Sequence, residues 1–253
     1  MDPAPNPYGK IVEVCKLPIK EYVVKEHSST KRELLPEQLQ KGPDGKPWPW
    51  KWGKERLLNE ACALNLVKEY TTIPVPRLLD SGVNDQGRTF ITMERIYDIE
   101  LKDIGNECRR PASGQRPHGS YGKCESCADV ANKNADNFIT NFVIPQLQQL
   151  MSYDTGLSDF VLPPPRITET IPKGTWQSIT SAGEPFRFIH GDLARHNIMV
   201  SPKTLKVTCI FDWEHAGYPP ELEAATWRMT HSEYHRLFDA RERIQRELEL
   251  IGG

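Results

Sequence analysis

Apolar and polar positions divide the chain into short strand-like stretches early and longer helical periods later. Residues 10–14 and 21–26 predict two strands, the second through the β-branched and aromatic run Tyr22-Val23-Val24 that ends on Lys25. Over residues 27–53 the pattern lapses into charged positions, then Gly42-Pro43-Asp44-Gly45-Lys46-Pro47, then Trp48, Trp50 and Trp52. The Asp-Gly step and the flanking prolines predict a turn, and the whole stretch reads as an insertion folded over the surface. Its alternating tryptophans either line a ligand mouth or pin the insertion down.

Residues 54–70 carry the clearest helical period of the first half, with Leu57, Ala61, Leu64 and Val67 on one face. Glu60 sits on the same stripe. A carboxylate there is costly to bury unless a cation meets it, so either a partner exists or Glu60 lies at the solvated edge. Ile73-Pro74-Val75-Pro76 stops the helix, because a residue before proline is pushed out of helical geometry. Residues 77–81 and 89–96 predict a strand pair around Asn84-Asp85-Gln86-Gly87, and the polar stretch that follows marks a hinge. Residues 104–127 are rich in Gly, Pro, Arg and Ser. A long helix should follow, with Phe138, Ile139, Phe142 and Val143 on its apolar side until Pro145 kinks or ends it. Residues 162–176 read as extended coil. Strand, loop and strand are expected over 188–200, a further strand over 207–211, and mostly helix over 221–250. The chain thus divides into a lobe over 1–95 and a lobe over 96–253.

At 253 residues there is length for one large domain or two modest lobes. Hydrophobic residues at 38% and charged residues at 26% describe a soluble globular protein. A net charge of -2 argues against a nucleic-acid partner or an anionic membrane surface, while leaving room for a local basic pocket. No basic region followed by an apolar core opens the chain, and no run approaches the roughly 18 apolar residues of a membrane helix. Six cysteines over this length do not form a secreted disulfide framework. The expectation is a reducing, cytoplasmic setting.

The densest chemistry lies in Phe188-Ile189-His190-Gly191-Asp192-Leu193-Ala194-Arg195-His196-Asn197-Ile198-Met199-Val200, answered by Ile210-Phe211-Asp212-Trp213-Glu214. Phosphoryl transfer needs a carboxylate to orient the attacking hydroxyl, metal ions to bridge phosphates, and a cation to steady them. Asp192 can serve as base or orienter. Asn197 offers a neutral amide oxygen and Asp212 an ionised carboxylate, a pair suited to Mg²⁺ and its preference for few hard oxygen ligands.

Those residues resemble the aminoglycoside phosphotransferase and choline-kinase-like branch of the protein-kinase-like fold. Leu58 to Leu64 followed by Ile73-Pro74-Val75-Pro76 is similar to fungal members described only as a phosphotransferase enzyme family. The resemblance spans roughly residues 20–228. It implies a two-lobed α+β fold, with a small β-rich N-terminal lobe holding one key helix and a larger, mainly helical C-terminal lobe. It implies transfer of the γ-phosphate of ATP to a hydroxyl of a small molecule, with Mg²⁺ as cofactor. Asp192 would be the catalytic base, Asn197 and Asp212 the Mg²⁺ ligands, and His190 a scaffold that hydrogen-bonds the loop. Glu60 would pair with the phosphate-binding lysine, expected at Lys25, with Lys51 and Lys54 as rivals. Met93 and Glu94 would open the adenine-facing hinge. Arg195 and His196 either meet substrate or are solvated, and Trp213 and Glu214 brace the metal loop.

No Gly-x-Gly-x-x-Gly loop precedes Lys25, and the C-terminal helices leave little material for a closed acceptor pocket. The alternative is therefore a catalytically degenerate kinase-like module that binds a nucleotide or a partner. Separately, Cys124-Glu125-Ser126-Cys127 has the spacing that lets two thiolates chelate one Zn²⁺, and Cys108 and His118 could complete a tetrahedral structural site; unligated or redox-active thiols are the competing reading. Cys15, Cys62 and Cys209 lie in apolar runs and are expected to be buried packing residues. His231 and His235 share a helix face without a Glu-x-x metal pattern.

Overall fold

The structure is a computed structural model that describes residues 8–43, 45–47, 52–110, 118, 122–157, 160–170, 177–220 and 225–250. Three strands open it: β1 (Ile11–Lys16), β2 (Lys20–Lys25) and β3 (Ser28–Glu33). Helix α1 (Gly53–Tyr70) follows, and β4 (Leu78–Val83) and β5 (Thr89–Glu94) complete an antiparallel sheet ordered β1-β2-β3-β5-β4.

The central strand of that sheet is β3, so residues 28–33 belong to the framework rather than to a surface insertion. The sequence hides this because Ser28-Ser29-Thr30-Lys31-Arg32-Glu33 contains no apolar residue. Its ladder is complete on both sides, and polar cross-strand pairs replace apolar ones. Thr30 and Thr92 hydroxyls lie 2.9 Å apart, and Arg32 Nε donates to the Glu21 carboxylate at 2.5 Å. Trp52 is buried at the entrance to α1; Trp48, Trp50 and Lys51 lie outside the described residues.

Past the sheet, β6 (Ile99–Glu100) leads to α2 (Glu125–Phe138) and α3 (Ile144–Leu147). Between the two helices, residues Ile139–Val143 form a π turn, with Ile144 N–H bonded to the Ile139 carbonyl. Pro145 therefore does not itself end the helical stretch, which runs on to Leu147. The widened turn just before it relieves the clash that its ring would make with an α-helical carbonyl. Of the four expected apolar positions, Ile139 and Val143 are buried, while Phe138 and Phe142 stack on each other nearer the surface.

Four short elements come next: β7 (Met151–Ser152), α4 (Pro165–Thr170), β8 (Phe186–Arg187) and β9 (Asp192–Leu193). Helix α4 lies within a stretch expected as coil; it begins on Pro165, where the missing N–H has no helical partner to lose. Then β10 (Ile198–Val200) and β11 (Val207–Ile210) form a three-stranded sheet with β6, and β12 (Ala225–Thr226) pairs with β9. The chain continues through α5 (His231–Asp239) and α6 (Arg241–Leu250). A capping box between Thr230 and Glu233 starts α5. No helix among the described residues is long and apolar enough to cross a membrane.

One apolar core runs through both halves. Leu57, Leu64 and Val67 of α1 meet Ile91 and Met93 of β5, and the core continues through Ala131, Ile139, Ile198, Ile210 and Trp213. The last helix is held differently: Arg166 of α4 forms a two-pronged pair with Glu247 of α6, both buried, with Nε to Oε2 at 2.8 Å. Glu247→Ala would leave that guanidinium buried without its carboxylate. The expected loss is about 3–5 kcal/mol of unfolding free energy, read from urea denaturation. Arg166→Met combined with Glu247→Leu should recover most of it.

Candidate functional site

The site is built where β9, β10 and the turn after β11 converge. Gly191 has φ +80°, and a Cβ there would lie 2.0 Å from the His215 carbonyl oxygen, so the His-Gly-Asp turn admits only glycine. His190 is buried and tilted against Trp213, with ring centroids 4.4 Å apart. Its Nε2 is 3.0 Å from the Phe211 carbonyl, and its Nδ1 accepts from Asp192 N–H at 3.3 Å. The imidazole thus ties the two loops together and does not face outward. Burial is the main force that lowers its pKa and keeps it neutral.

Asp192 is buried, and its two carboxylate oxygens differ. Oδ2 accepts from Asn197 Nδ2 at 3.1 Å and from Tyr234 Oη at 3.4 Å, with His196 Nε2 also at 3.4 Å. Oδ1 is buried with no hydrogen-bond partner among the described residues. Asn197 Nδ2 also donates to the Asp192 carbonyl at 2.7 Å, which leaves its amide oxygen as the ligand atom it can offer. The hydrogen bond to Asp192 raises the pKa of His196, against the opposing effect of burial. Arg195 turns away, its Nε donating to the Trp227 carbonyl at 3.0 Å.

Across from this loop lies Asp212, in the left-handed region with φ +63°, which Asp tolerates better than most residues. Its Oδ1 is 2.5 Å from Lys31 Nζ, and the same ammonium reaches both Glu60 oxygens at 2.8 Å. The cation that the buried Glu60 requires is therefore Lys31, and the expectation of Lys25 is corrected. Strand parity explains the error. Tyr22 lies opposite Lys31 and shares its face, so Lys25, an odd number of positions along, points to the other face. Its Nζ rests 5.2 Å from the Tyr8 ring centroid. Lys54, the rival, is exposed.

A second cation set completes the arrangement. Glu214 accepts from Lys20 Nζ at 3.1 Å and from Arg56 Nε at 3.1 Å, with Arg56 Nη2 closer still. Asn59 Nδ2 donates to the Glu214 and Ala216 carbonyls at 3.2 and 2.7 Å. Arg56, Asn59 and Glu60 are three and four apart on α1, so one helix face addresses the whole 212–216 segment. Lys20, Lys31, Arg56 and Asn59 escaped the sequence reading. The available signal was Arg56 and Asn59, which stand at helical spacing on the stripe already marked by Glu60.

Burial alone would lower the Lys31 ammonium, but Asp212 and Glu60 outweigh it and hold it well above its ordinary value. Burial likewise works against ionised Glu214, yet Arg56 and Lys20 keep its carboxyl well below the usual range. Asp212 is lowered, with Lys31 overcoming burial. Glu60 is pushed up to about 7 by burial, only partly offset by Lys31, and by the neighbouring carboxylates. Oxygens of Glu60, Asp212 and Glu214 come within 4.8 Å of one another, but three cations already neutralise them.

The other cluster with metal-ligand geometry among the described residues is Cys108, His118, Cys124 and Cys127. Cys209 is buried as expected, its thiol pushed up to about 12 by burial; Cys62 is half-buried, and Cys15 is exposed because β1 is an edge strand with both faces open. His231 and His235 meet edge to face on α5, outside either cluster. Met93 is buried in the core, and Glu94 pairs with Arg77 at 3.5 Å.

The family model described as phosphotransferase enzyme family matches residues 45–223. This chain belongs to that family. Among curated proteins none matches in sequence. Solved structures similar to this family member include a thermostable mutant of aminoglycoside phosphotransferase APH(4)-Ia in its apo form. That match has 10% identity and a TM-score of 0.46, covering 94% of this chain and 77% of that one. The high-resolution WbdD structure matches with 12% identity and a TM-score of 0.45, covering 95% of this chain and 46% of that one. A putative aminoglycoside phosphotransferase from Ralstonia eutropha JMP134 matches at 13% identity and TM-score 0.44, covering 94% and 75%. The phosphotransferase-family chain spans under half the length of the WbdD chains it matches. Its architecture is mixed α+β, an antiparallel sheet with one long helix followed by a portion of helices and short strands, as the α+β expectation had it.

The buried His215 offers a check on this family member's site electrostatics. Its Nδ1 lies 3.0 Å from the Pro163 carbonyl, and burial, with Arg56 adding to it, pushes its pKa down to about 4. The neutral ring is the folded form, so its contribution is intact above the unfolded pKa near 6.5 and is lost as pH falls towards 4. The full effect is on the order of 3 kcal/mol. Urea denaturation between pH 7 and 4.5 should therefore show a shallower acid loss in His215→Gln than in the unaltered chain; parallel pH profiles would contradict it.

Proposed function

We propose that this chain is an ATP- and Mg²⁺-dependent phosphotransferase that moves the γ-phosphate of ATP to a hydroxyl of a small molecule. The observation that carries this reading is the convergence of Lys31 on both Glu60 and Asp212 beside the Asp192–Asn197 pair. Glu60 holds the lysine from behind, and phosphate oxygens would share its ammonium with Asp212. The segment from Met93 to Ile96 would form the wall against the base.

In the transfer step the acceptor hydroxyl donates to the Asp192 carboxylate, and its oxygen attacks the γ-phosphorus. The bond from that phosphorus to the bridging oxygen breaks, ADP leaves, and the proton ends on Asp192. The unpartnered Oδ1 is the oxygen left for this task, since Oδ2 is occupied by Asn197 and Tyr234. Asn197 through its amide oxygen and Asp212 through its carboxylate are the hard donors that would hold Mg²⁺, whose chemistry is to bridge phosphate oxygens and offset their charge. Trp213 and Glu214 support this turn from inside, and His190 sets the approach of the two loops.

One observation favours the second reading, a kinase-like module that holds a nucleotide or partner without turnover. Helix α5 lies over Asp192, and the cavity between Asp192, Arg166 and Leu237 measures only about 10 Å³, room for about one water.

The two are separated by incubating the protein with MgATP and a panel of amino alcohols, aminoglycosides and sugars. Product is expected with at least one of them. Asp192→Asn should lower turnover by about 10²–10⁴. Lys31→Met should impair ATP use, while Lys25→Met should leave it near the unaltered level. If no acceptor is phosphorylated and ATP hydrolysis does not exceed that of Asp192→Asn, while MgATP still raises the Tm, the second reading replaces the first.

A further inference from the structure

The segment that follows the lobe linker carries a group of side chains with no part in phosphoryl transfer. Cys108 comes just after the short turn Ile104–Asn106, Cys124 caps α2, Cys127 lies in the first turn of α2, and His118 stands between them in sequence. His118 Nδ1 is 3.5 Å from Cys124 Sγ, 3.7 Å from Cys127 Sγ and 4.0 Å from Cys108 Sγ. The four ligand atoms all lie within 4.8 Å of one another. A tetrahedral Zn²⁺ with its usual bond lengths sets sulfur–nitrogen edges of about 3.6 Å and sulfur–sulfur edges of about 3.8 Å. The side chains therefore already face a common centre at close to the required spacing, although the ligands are spread over twenty positions of sequence.

A further observation points to thiolates at that centre. Backbone N–H groups are aimed at sulfur: Arg109 N donates to Cys127 Sγ at 3.4 Å, and His118 N to Cys108 Sγ at 3.5 Å. In addition, Arg109 Nε is buried with no hydrogen-bond partner among the described residues. Three thiolates and one neutral imidazole around Zn²⁺ carry a net charge of minus one; Arg109, whose backbone N–H meets Cys127 Sγ, is half-buried and pairs its guanidinium with Glu107.

We propose that Cys108, His118, Cys124 and Cys127 bind one Zn²⁺ in a closed structural site that fastens the segment after the lobe linker to the start of α2. Binding releases the thiol protons and leaves no coordination position open, so the ion takes no part in catalysis. The metal lies where the backbone is already drawn in. Cys124 N–H bonds to the Gly105 carbonyl at 2.8 Å, and a Cβ on Gly105 would come 2.8 Å from that of Ala128. From there Leu101 N–H bonds to the Ile198 carbonyl at 2.8 Å, at the start of β10. The ion thus stabilises the ground on which the Asp192–Asn197 loop stands.

The test is metal content, which is independent of phosphotransfer activity. Protein purified under reducing conditions without chelator should contain about one zinc per chain by elemental analysis. Cys124→Ser and Cys127→Ser should lose it, and Cys15→Ser should keep it. Should the serine variants fail to fold, Co²⁺ substitution of the unaltered chain gives the same answer through the visible absorption of tetrahedral thiolate coordination. Chelation should lower the Tm by on the order of 5 °C or more. The proposal is overturned by protein without zinc that also fails to develop the cobalt spectrum, by zinc that survives both serine variants, or by a mass lower by two hydrogens that marks a Cys124–Cys127 disulfide.

Discussion

Three buried cations meet two buried carboxylates and a half-buried one between the sheet and the loop after β11: Lys20, Lys31 and Arg56 against Glu60, Glu214 and Asp212. Each charge costs several kcal/mol to dehydrate, so no subset of the group is tolerable. Removing one member leaves an opposite charge stranded in a place without water. The cluster therefore makes strict demands on everything around it. Strand β3 cannot slip by one residue without turning Lys31 to the wrong face. Helix α1 must present Arg56, Asn59 and Glu60 together, and Asp212 must adopt a positive φ to bring its carboxylate to Lys31. The relation between the sheet and the 212–216 segment is thus set by ion pairing at its centre, with apolar packing around it.

This explains which parts were legible in advance. The loop from His190 to Asn197 and the turn at Asp212 are local: ligands and scaffold lie within a few residues, flanked by apolar strands, so spacing alone reveals them. Glu60 was visible because it interrupts an apolar stripe. Its partner was not, because β3 is a central strand made entirely of Ser, Thr, Lys, Arg and Glu. Hydrophobic alternation is blind to such a strand, since its burial is compensated by ion pairs and hydroxyl pairs instead of by apolar surface. Tyr22-Val23-Val24-Lys25 has the expected composition, but parity places its lysine on the opposite face. The π turn ahead of Pro145 was equally hidden: it widens the backbone where a strict α-helix would meet the proline ring, and nothing in the residue pattern announces it.

The family match begins at residue 45, so β1, β2 and β3 lie ahead of it. Lys20 and Lys31, two of the three cations, come from that part of the chain. The matched portion contains all three carboxylates of the cluster and only Arg56 to balance them. Physical closure of the site consequently depends on strands outside the matched region, and the charge balance requires them as strictly as the matched motifs do.

Around Asp192, two walls differ in how firmly they are held. The loop side is fixed by His190 bridging to Phe211, by Asn197 bonding back to the Asp192 carbonyl, and by the close approach of Gly191 to His215. The α5 side buries only Leu237 within its own length, and Tyr234 meets Asp192 at a long 3.4 Å. Its firmer anchorage lies farther along, where Arg166 grips Glu247 of α6. Elements with few buried apolar contacts open at the lowest free energy, so α5 is the cheaper wall to displace. An acceptor approaching the bare Oδ1 of Asp192 would displace α5 and leave the loop geometry, and the ion cluster behind it, intact.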